Sequence, residues 1–335
     1  MHRLTRLLPL TLLLGTAAGP LAYAQQQPAE PKRNESQTGG GETTFHADTR
    51  LVVLYASVID KSGHLVTSLP RSAFKVYENN IEQPIRTFRR EDVPVSLGLV
   101  IDNSGSMRGK RKSVEAAALA AVKASNSRDE EVVVNFNDEA YDDSNGFTSD
   151  LKKLDEALTK IDSRGGTAMR DALNMTIDFV KKKGKHDKKV VLVITDGNDT
   201  ASTQVTLETL VQKAHDSEVL LYFIGLLNEE DKGEAKKAKR AMEALAKASG
   251  GSAIFPDTLE EVERVALSMA QELRNQYIIT YTPTIQSLDG TFRQIRVVAN
   301  GPNRPTVRTR SGYYATPDPG RKNAAKPATP SSFRP

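Results

Sequence analysis

Two rhythms of apolar and polar positions divide the chain. From Pro94 onward, short runs that read as apolar throughout alternate with stretches whose apolar residues recur every three or four positions. The runs Val95–Ile101, Val132–Phe136, Val190–Thr195 and Val219–Gly225 predict strands buried on both faces, as in a parallel sheet. Val114, Ala118, Ala121 and Val122 fall on one helical face; so do Met169, Leu173, Thr176, Ile177 and Val180, and so do Leu207, Leu210, Val211 and Ala214. Ala238, Met242 and Leu245, then Leu259, Val262, Ala266, Met269 and Leu273, predict two further helices. Gly250-Gly251 stops the first of these, and Ser252–Phe255 reads as a short edge strand. Strand and helix in alternation predict an α/β domain over residues 94–275, with a doubly wound, mostly parallel sheet.

On either side of that region the period drops to two. LVVLYASVI at Leu51–Ile59 predicts a buried strand, Phe74–Glu78 alternates, Asn79-Asn80 turns, and Ile85–Phe88 continues. After Gln276 come Tyr277–Thr282, Phe292–Ala299 and Thr306–Tyr314, with Asp289-Gly290 in a turn. Segments 46–93 and 276–315 are each too short to bury a core alone. They are expected to pair with each other into one smaller β domain. No internal repeat is present.

The termini change the picture of where the protein works. Arg3 and Arg6 precede the apolar run Leu7–Leu14, and Ala22-Tyr23-Ala24 offers small residues where a signal peptidase reads, so residues 1–24 read as a signal peptide. The expectation is an exported protein, periplasmic or secreted. Residues 25–45 and 316–335 are rich in Pro, Gly and polar residues and read as a disordered linker and tail. No later stretch reaches the roughly 18 apolar residues of a membrane span.

The formal charge of +4 falls to +2 without residues 1–24, which carry two arginines and no acid. That excludes a strong nucleic-acid footprint. Lysine runs at Lys181–Lys189 and Lys236–Arg240 are expected at or beyond helix ends, as solvated cations. The cations Arg108, Lys110, Arg111 and Lys112 at the start of a helix could help attract an acidic partner surface, but a solvated face is the commoner reading. With no Cys among 335 residues, disulfides, thiolate metal sites and cysteine nucleophiles are all excluded.

Candidate chemistry gathers at strand ends. The strand VSLGLVID ends at Asp102, and Asn103-Ser104-Gly105-Ser106-Met107 follows. In an extended segment Asp102, Ser104 and Ser106 point to one side, with Gly105 allowing a sharp turn between the hydroxyls. Arg164-Gly165-Gly166-Thr167 places a hydroxyl on a glycine-softened loop before a helix, and VVLVITD ends at Asp196 with Gly197 behind it. All lie where open α/β sheets bind ligands. Three hydroxyls and two carboxylates suit a hard divalent ion, Mg²⁺ or Mn²⁺. Taken singly, Ser106 and Thr167 read equally as helix N-caps, and Asp196-Gly197 as a turn. Asn198 and Asp199 read as surface loop residues.

Asp-x-Ser-x-Ser, a later Gly-Thr loop and a strand-terminal Thr-Asp-Gly together resemble the metal-ion-dependent adhesion site of von Willebrand factor type A domains, over roughly residues 94–275. The resemblance implies that Ser104, Ser106 and Thr167 bind the metal directly, and Asp102 and Asp196 mostly through water. It further implies a protein partner that supplies an Asp or Glu as the remaining ligand, and hence an interaction or adhesion module. The flanks, with Ala73-Phe74-Lys75-Val76-Tyr77-Glu78 before the domain and Arg310-Ser311-Gly312-Tyr313-Tyr314 after it, resemble a group of bacterial exported proteins that carry such a domain between β segments.

Other functions fit less well. A phosphatase built on a strand-terminal Asp needs a second carboxylate where Ser104 stands. A serine hydrolase needs an activating base, and none of His46, His64, His186 and His215 lies in a candidate loop. Asn103-Ser104-Gly105-Ser106 is not a nucleophile elbow, and Gly105–Lys110 lacks the spacing of a phosphate loop. A metal-dependent hydrolase is therefore a remote alternative, and an assembly scaffold of the cell envelope the nearer one.

Overall fold

The computed structural model describes residues 50–160, 163–197, 199–228 and 230–317. The signal peptide and linker expected at 1–24 and 25–45 lie outside the described residues, as does all but the start of the tail at 316–335. Four strands come first: β1 (Val52–Ile59), β2 (Phe74–Glu78), β3 (Ile81–Gln83) and β4 (Ile85–Arg89). An alternating region follows, with β5 (Val95–Asp102), α1 (Arg111–Lys123), β6 (Glu130–Phe136), β7 (Ala140–Asp142), α2 (Leu151–Leu158), α3 (Met169–Lys183), β8 (Lys188–Thr195), α4 (Leu207–Ser217), β9 (Val219–Gly225), α5 (Lys232–Ser249), β10 (Ala253–Ile254) and α6 (Val262–Arg274). The chain returns to strands with β11 (Tyr277–Tyr281), β12 (Phe292–Ala299), β13 (Thr306–Arg308) and β14 (Gly312–Tyr314).

The α/β expectation holds. β10-β9-β8-β5-β6-β7 form one sheet, parallel except for the β6–β7 edge pair. Every residue of β5, β6 and β9 is buried, which explains why these strands read as unbroken apolar runs. One face packs on α1, α2 and α6, the other on α3, α4 and α5. Gly98, mid-strand in β5, lets α3 approach closely: a Cβ there would stand 3.0 Å from Thr176 and 3.1 Å from Val180. β7 and α2 were not legible in the sequence, being a three-residue polar edge strand and a helix of eight residues.

The flanks do form one β unit. β13-β1-β11-β4 and β14-β12-β2-β3 are antiparallel four-stranded sheets. They enclose a core that includes Val52, Leu54, Phe74, Tyr277, Tyr281, Ile295 and Tyr313. Thr306–Tyr314, expected as one strand, is two. β13 pairs with β1 and β14 with β12, so the chain passes between sheets over Thr309–Ser311.

The basic runs need correction. Lys236–Arg240 is solvated apart from buried Ala238, but it lies inside α5 rather than at its end. Lys181–Lys183 do end α3, whereas Lys188 opens β8 and is buried. Among the described residues no helix is long and apolar enough to cross a membrane.

Candidate metal centre

β5 and β8 are parallel neighbours with Ile101 opposite Ile194, so their carboxyl ends carry Asp102 and Asp196 to the same edge of the sheet. From β5 the chain turns to α1 on one face, and from β8 to α4 on the other. This is the point where the winding direction reverses and a crevice opens. After Asp196 the backbone must turn at once. Gly197 does so with φ +86°, where a Cβ would press on Met242 and Ala238.

Both carboxylates are buried, Asp102 at 1% and Asp196 at 0% exposure. Asp102 Oδ1 accepts from the Ser104 backbone N–H at 2.9 Å, and Oδ2 accepts from the Thr195 hydroxyl at 2.5 Å. Asp196 Oδ2 accepts from Lys110 Nζ at 3.2 Å, while its Oδ1 has no hydrogen-bond partner among the described residues. Burial, then the charge of Asp196, pushes the Asp102 carboxyl up to about 6. The two carboxylates thus feel each other across the crevice.

The hydroxyls come from two loops. Ser104 Oγ and Ser106 Oγ are 3.1 Å apart, with Ser104 buried and Ser106 exposed. The extended geometry expected for Ser106 is not what brings them together. Gly105–Met107 forms a 3-10 turn, and the tight curl, rather than an i, i+2, i+4 alternation, sets the spacing. Gly105 adopts no left-handed conformation, so the sharp turn expected there does not depend on its being glycine.

Thr167 is buried on a loop tied to both of its neighbours. Gly105 N–H donates to Gly165 O at 3.1 Å, and Arg164 N–H to Asn103 O at 3.0 Å. Toward the third loop, Thr167 N–H donates to the Thr200 hydroxyl at 3.1 Å, and Thr167 O accepts from the N–H groups of Thr200 and Ala201. Neither Ser106 nor Thr167 is a helix N-cap: α1 is preceded by Lys110 and α3 by Ala168. The capping explanation for these hydroxyls therefore falls.

All five expected residues sit at this one sheet edge. Around them the sequence reading missed Thr195, Thr200, Asn103 and Lys110. Asn103 Oδ1 accepts from Ser163 N–H at 2.6 Å and steadies the second loop. Lys110 was expected on a solvated face, yet only 4% of its side chain is exposed, because the turn at Gly105–Met107 swings it under the site. Asp199 stays structural, with Oδ2 accepting from the backbone N–H and Nε of Arg170 at 2.9 and 3.0 Å, while Asn198 lies outside the described residues.

The donor set fits a hard divalent ion. Every donor is oxygen, and one buried carboxylate oxygen lacks any partner, which is costly unless a cation supplies it. Among the described residues no group of three or more acidic, His or Cys side chains is placed to hold a metal, so hydroxyls must complete any shell here. A cavity of about 180 Å³ is lined by Lys110, Leu226, Asn228 and Pro256–Leu259 and holds none of the five residues. A cleft of about 720 Å³ lies at the far end of the sheet, lined among others by Tyr55, Lys188, Ile278 and Arg310, and holds none of the five residues.

Residues 97–198 match the family model described as the von Willebrand factor type A domain. The described sheet and helices continue beyond this stretch to Arg274. No curated protein matches the chain. Among solved structures, the chain is similar to the vWF domain of the type V pili tip protein Mfa5 from Porphyromonas gingivalis, at 14% identity over 54% of this chain and 97% of that one, TM-score 0.42. It is similar to the conserved hypothetical protein BatB from Bacteroides thetaiotaomicron at 16% identity, over 53% and 98% of the two chains, TM-score 0.42. A von Willebrand factor type A protein from Catenulispora acidiphila is 14% identical over 81% of this chain and 75% of its own, TM-score 0.46.

Proposed function

We propose that this is an exported, non-enzymatic interaction protein whose α/β domain binds a protein partner through a divalent ion, Mg²⁺ or Mn²⁺. The ion is held by Ser104, Ser106, Thr167, Asp102 and Asp196, and the partner contributes an Asp or Glu. The observation that carries this reading is the buried, unpartnered Oδ1 of Asp196 beside the Asp102 carboxylate and the Ser104–Ser106 hydroxyl pair. A bound divalent ion supplies a positive centre that neutral hydroxyls leave short of anionic ligands.

The chain's own groups do the rest. Thr195 and the Ser104 N–H hold Asp102 in one orientation. Backbone bonds from Gly105 to Gly165, and from Thr200 to Thr167, fix the three loops relative to one another, so ligand positions are set before binding. The exposed Ser106 marks where the site meets the surface. That favours a side chain projecting from a protein.

A hydrolytic role finds no histidine base at this edge among the described residues, and His46 lies outside them. His64 lies beside Asp60, His186 Nε2 is 2.8 Å from Arg128 O, and His215 Nδ1 is 3.3 Å from Gly312 O, none of them at this edge. Export rests on the leader-like residues 1–24.

Titration calorimetry with Mn²⁺ and Mg²⁺ tests the reading. The wild type is expected to bind one ion at micromolar to millimolar affinity, and Asp102→Asn and Thr167→Ala to bind at least about tenfold more weakly. Equal binding by both variants would sink the assignment. Capture of envelope proteins with and without chelator then identifies the partner.

A further inference from the structure

Lys110 is an unexpected neighbour for a cation site. It directly precedes α1, and its backbone N–H donates to Met107 O at 2.9 Å, closing the turn that carries Ser106. From there the side chain runs inward, 4% exposed, to place Nζ 3.2 Å from Oδ2 of the fully buried Asp196. The placement opposes two ordinary preferences. A cation at a helix N-terminus is disfavoured by the helix dipole, and no acid stands in the first turn of α1 to offset it. Burying an ammonium also costs hydration that its protein partners must replace.

The consequence lies in the charge count. Asp102 and Asp196 bring two negative charges, and Lys110 returns one positive charge to the same enclosed edge. A divalent ion would then leave the site with one net positive charge, and a carboxylate from a ligand would bring it to zero. Without Lys110, the ion alone would neutralise the two aspartates, and the ligand's carboxylate would add an unbalanced negative charge. Because Coulomb energies in a poorly hydrated crevice greatly exceed those in water, this difference is felt by both binding steps.

We propose that Lys110 is an internal cation that weakens the site's hold on the metal ion and strengthens its demand for an anionic ligand. It is a specificity-determining residue for acidic partners, acting through Asp196 and not by touching the ligand. The proposal rests on the metal-dependent reading above. Lys110 holds Oδ2 and leaves Oδ1 for the site, so it orients Asp196 as well as balancing its charge.

The test is calorimetry on the full chain, with Mn²⁺ alone and then with glutarate as a free carboxylate probe at saturating Mn²⁺. Lys110→Gln removes the charge but keeps a donor for Asp196, so the fold is retained. Lys110→Arg keeps the charge. Lys110→Gln is expected to bind Mn²⁺ about tenfold more tightly and glutarate about tenfold more weakly than wild type, with Lys110→Arg close to wild type in both. Opposite signs for the two ligands are the signature, since a merely structural lysine would weaken both or neither. Mn²⁺ affinity in Lys110→Gln that is equal to or below wild type, or unchanged glutarate affinity, overturns the role of Lys110 while the metal site stands. Mn²⁺ bound by neither protein ends the metal-site reading and the inference with it.

Discussion

Glu78 and Asp196 are both buried carboxylates, 3% and 0% exposed, at opposite parts of the molecule, and they are treated differently. In the β unit, Glu78 Oε2 accepts from the hydroxyls of Tyr281 at 2.7 Å and Tyr313 at 3.0 Å. Glu272 on α6 is similarly enclosed, by Ser57, Tyr222 and Arg308. At the α/β edge, Asp196 keeps one oxygen unpartnered and faces a second carboxylate. A buried acid whose acceptors are filled by the protein serves the fold, while one left short of donors and set beside a like charge is what the proposed metal site requires of Asp196. The contrast also explains the two flanking motifs. Glu78 closes the first and Tyr313 lies in the second, and their side chains meet across 235 residues of chain.

The largest effect that can break this comparison comes from removing the second motif. Ending the chain at Pro305 deletes β13 and β14, stripping an edge partner from β1 and from β12 and removing Tyr313 from the core. Hydrogen exchange is expected to show Val52–Ile59 losing its protection although none of it was deleted. Full protection of that strand in the shortened chain would mean that β1 does not depend on β13 and β14.

Next in size is an exchange of roles between the two carboxylates. Glu78→Ala leaves two buried tyrosine hydroxyls without their acceptor and is expected to cost about 3 kcal/mol in urea unfolding, with Mn²⁺ affinity unchanged. Asp196→Asn keeps an acceptor for Lys110 although it removes the counter-charge, so it is expected to cost less than the roughly 3–5 kcal/mol of a wholly broken buried pair while Mn²⁺ binding is lost. Alanine at 196 is the wrong probe. It would strand the buried Lys110 ammonium, at about 3–5 kcal/mol. If Glu78→Ala weakens Mn²⁺ as much as Asp196→Asn does, the division between structural and ligand-directed carboxylates fails.

How much of this was legible depends on what each residue sits beside. Asp102 and Asp196 stand where apolar strands stop, and Thr167 follows two glycines, so local pattern marked all three. Thr195 was hidden because a single hydroxyl inside VVLVIT reads as strand filler. Lys110 was hidden among Arg108–Lys112. The α-helix begins only at Arg111, so no helical period reports which cation of the run turns inward. In the β unit, β12 alternates cleanly and its ends were read correctly, but β13 and β14 are three residues each. Two strands so short, belonging to different sheets, leave one continuous period of two in the sequence.

The smallest effect sharpens the comparison from the side of the cations. Lys188, like Lys110, is a buried lysine, but its Nζ donates to a carbonyl, Leu273 O, at 2.5 Å and stands 5.1 Å from the centre of the Tyr55 ring. Burial, and then the charge of Arg274, lower its pKa to about 7, against the opposing pull of Asp92, Glu272 and Asp129. In the unfolded chain it titrates near 10.5. Between those values the unfolded state binds one more proton than the folded state, so stability rises with pH. Below about 7 the folded protein must carry the buried charge, and its cost is fully present. Lys188→Met carries no such charge. The variant is expected to be more stable than wild type below pH 7, by on the order of 3 kcal/mol, with the advantage shrinking toward pH 10. Urea unfolding of both proteins at pH 6, 8 and 10 measures this, and taking the difference cancels the titrating groups that do not interact with Lys188, the site aspartates included. A difference that stays constant across that range would show that Lys188 keeps its proton when folded.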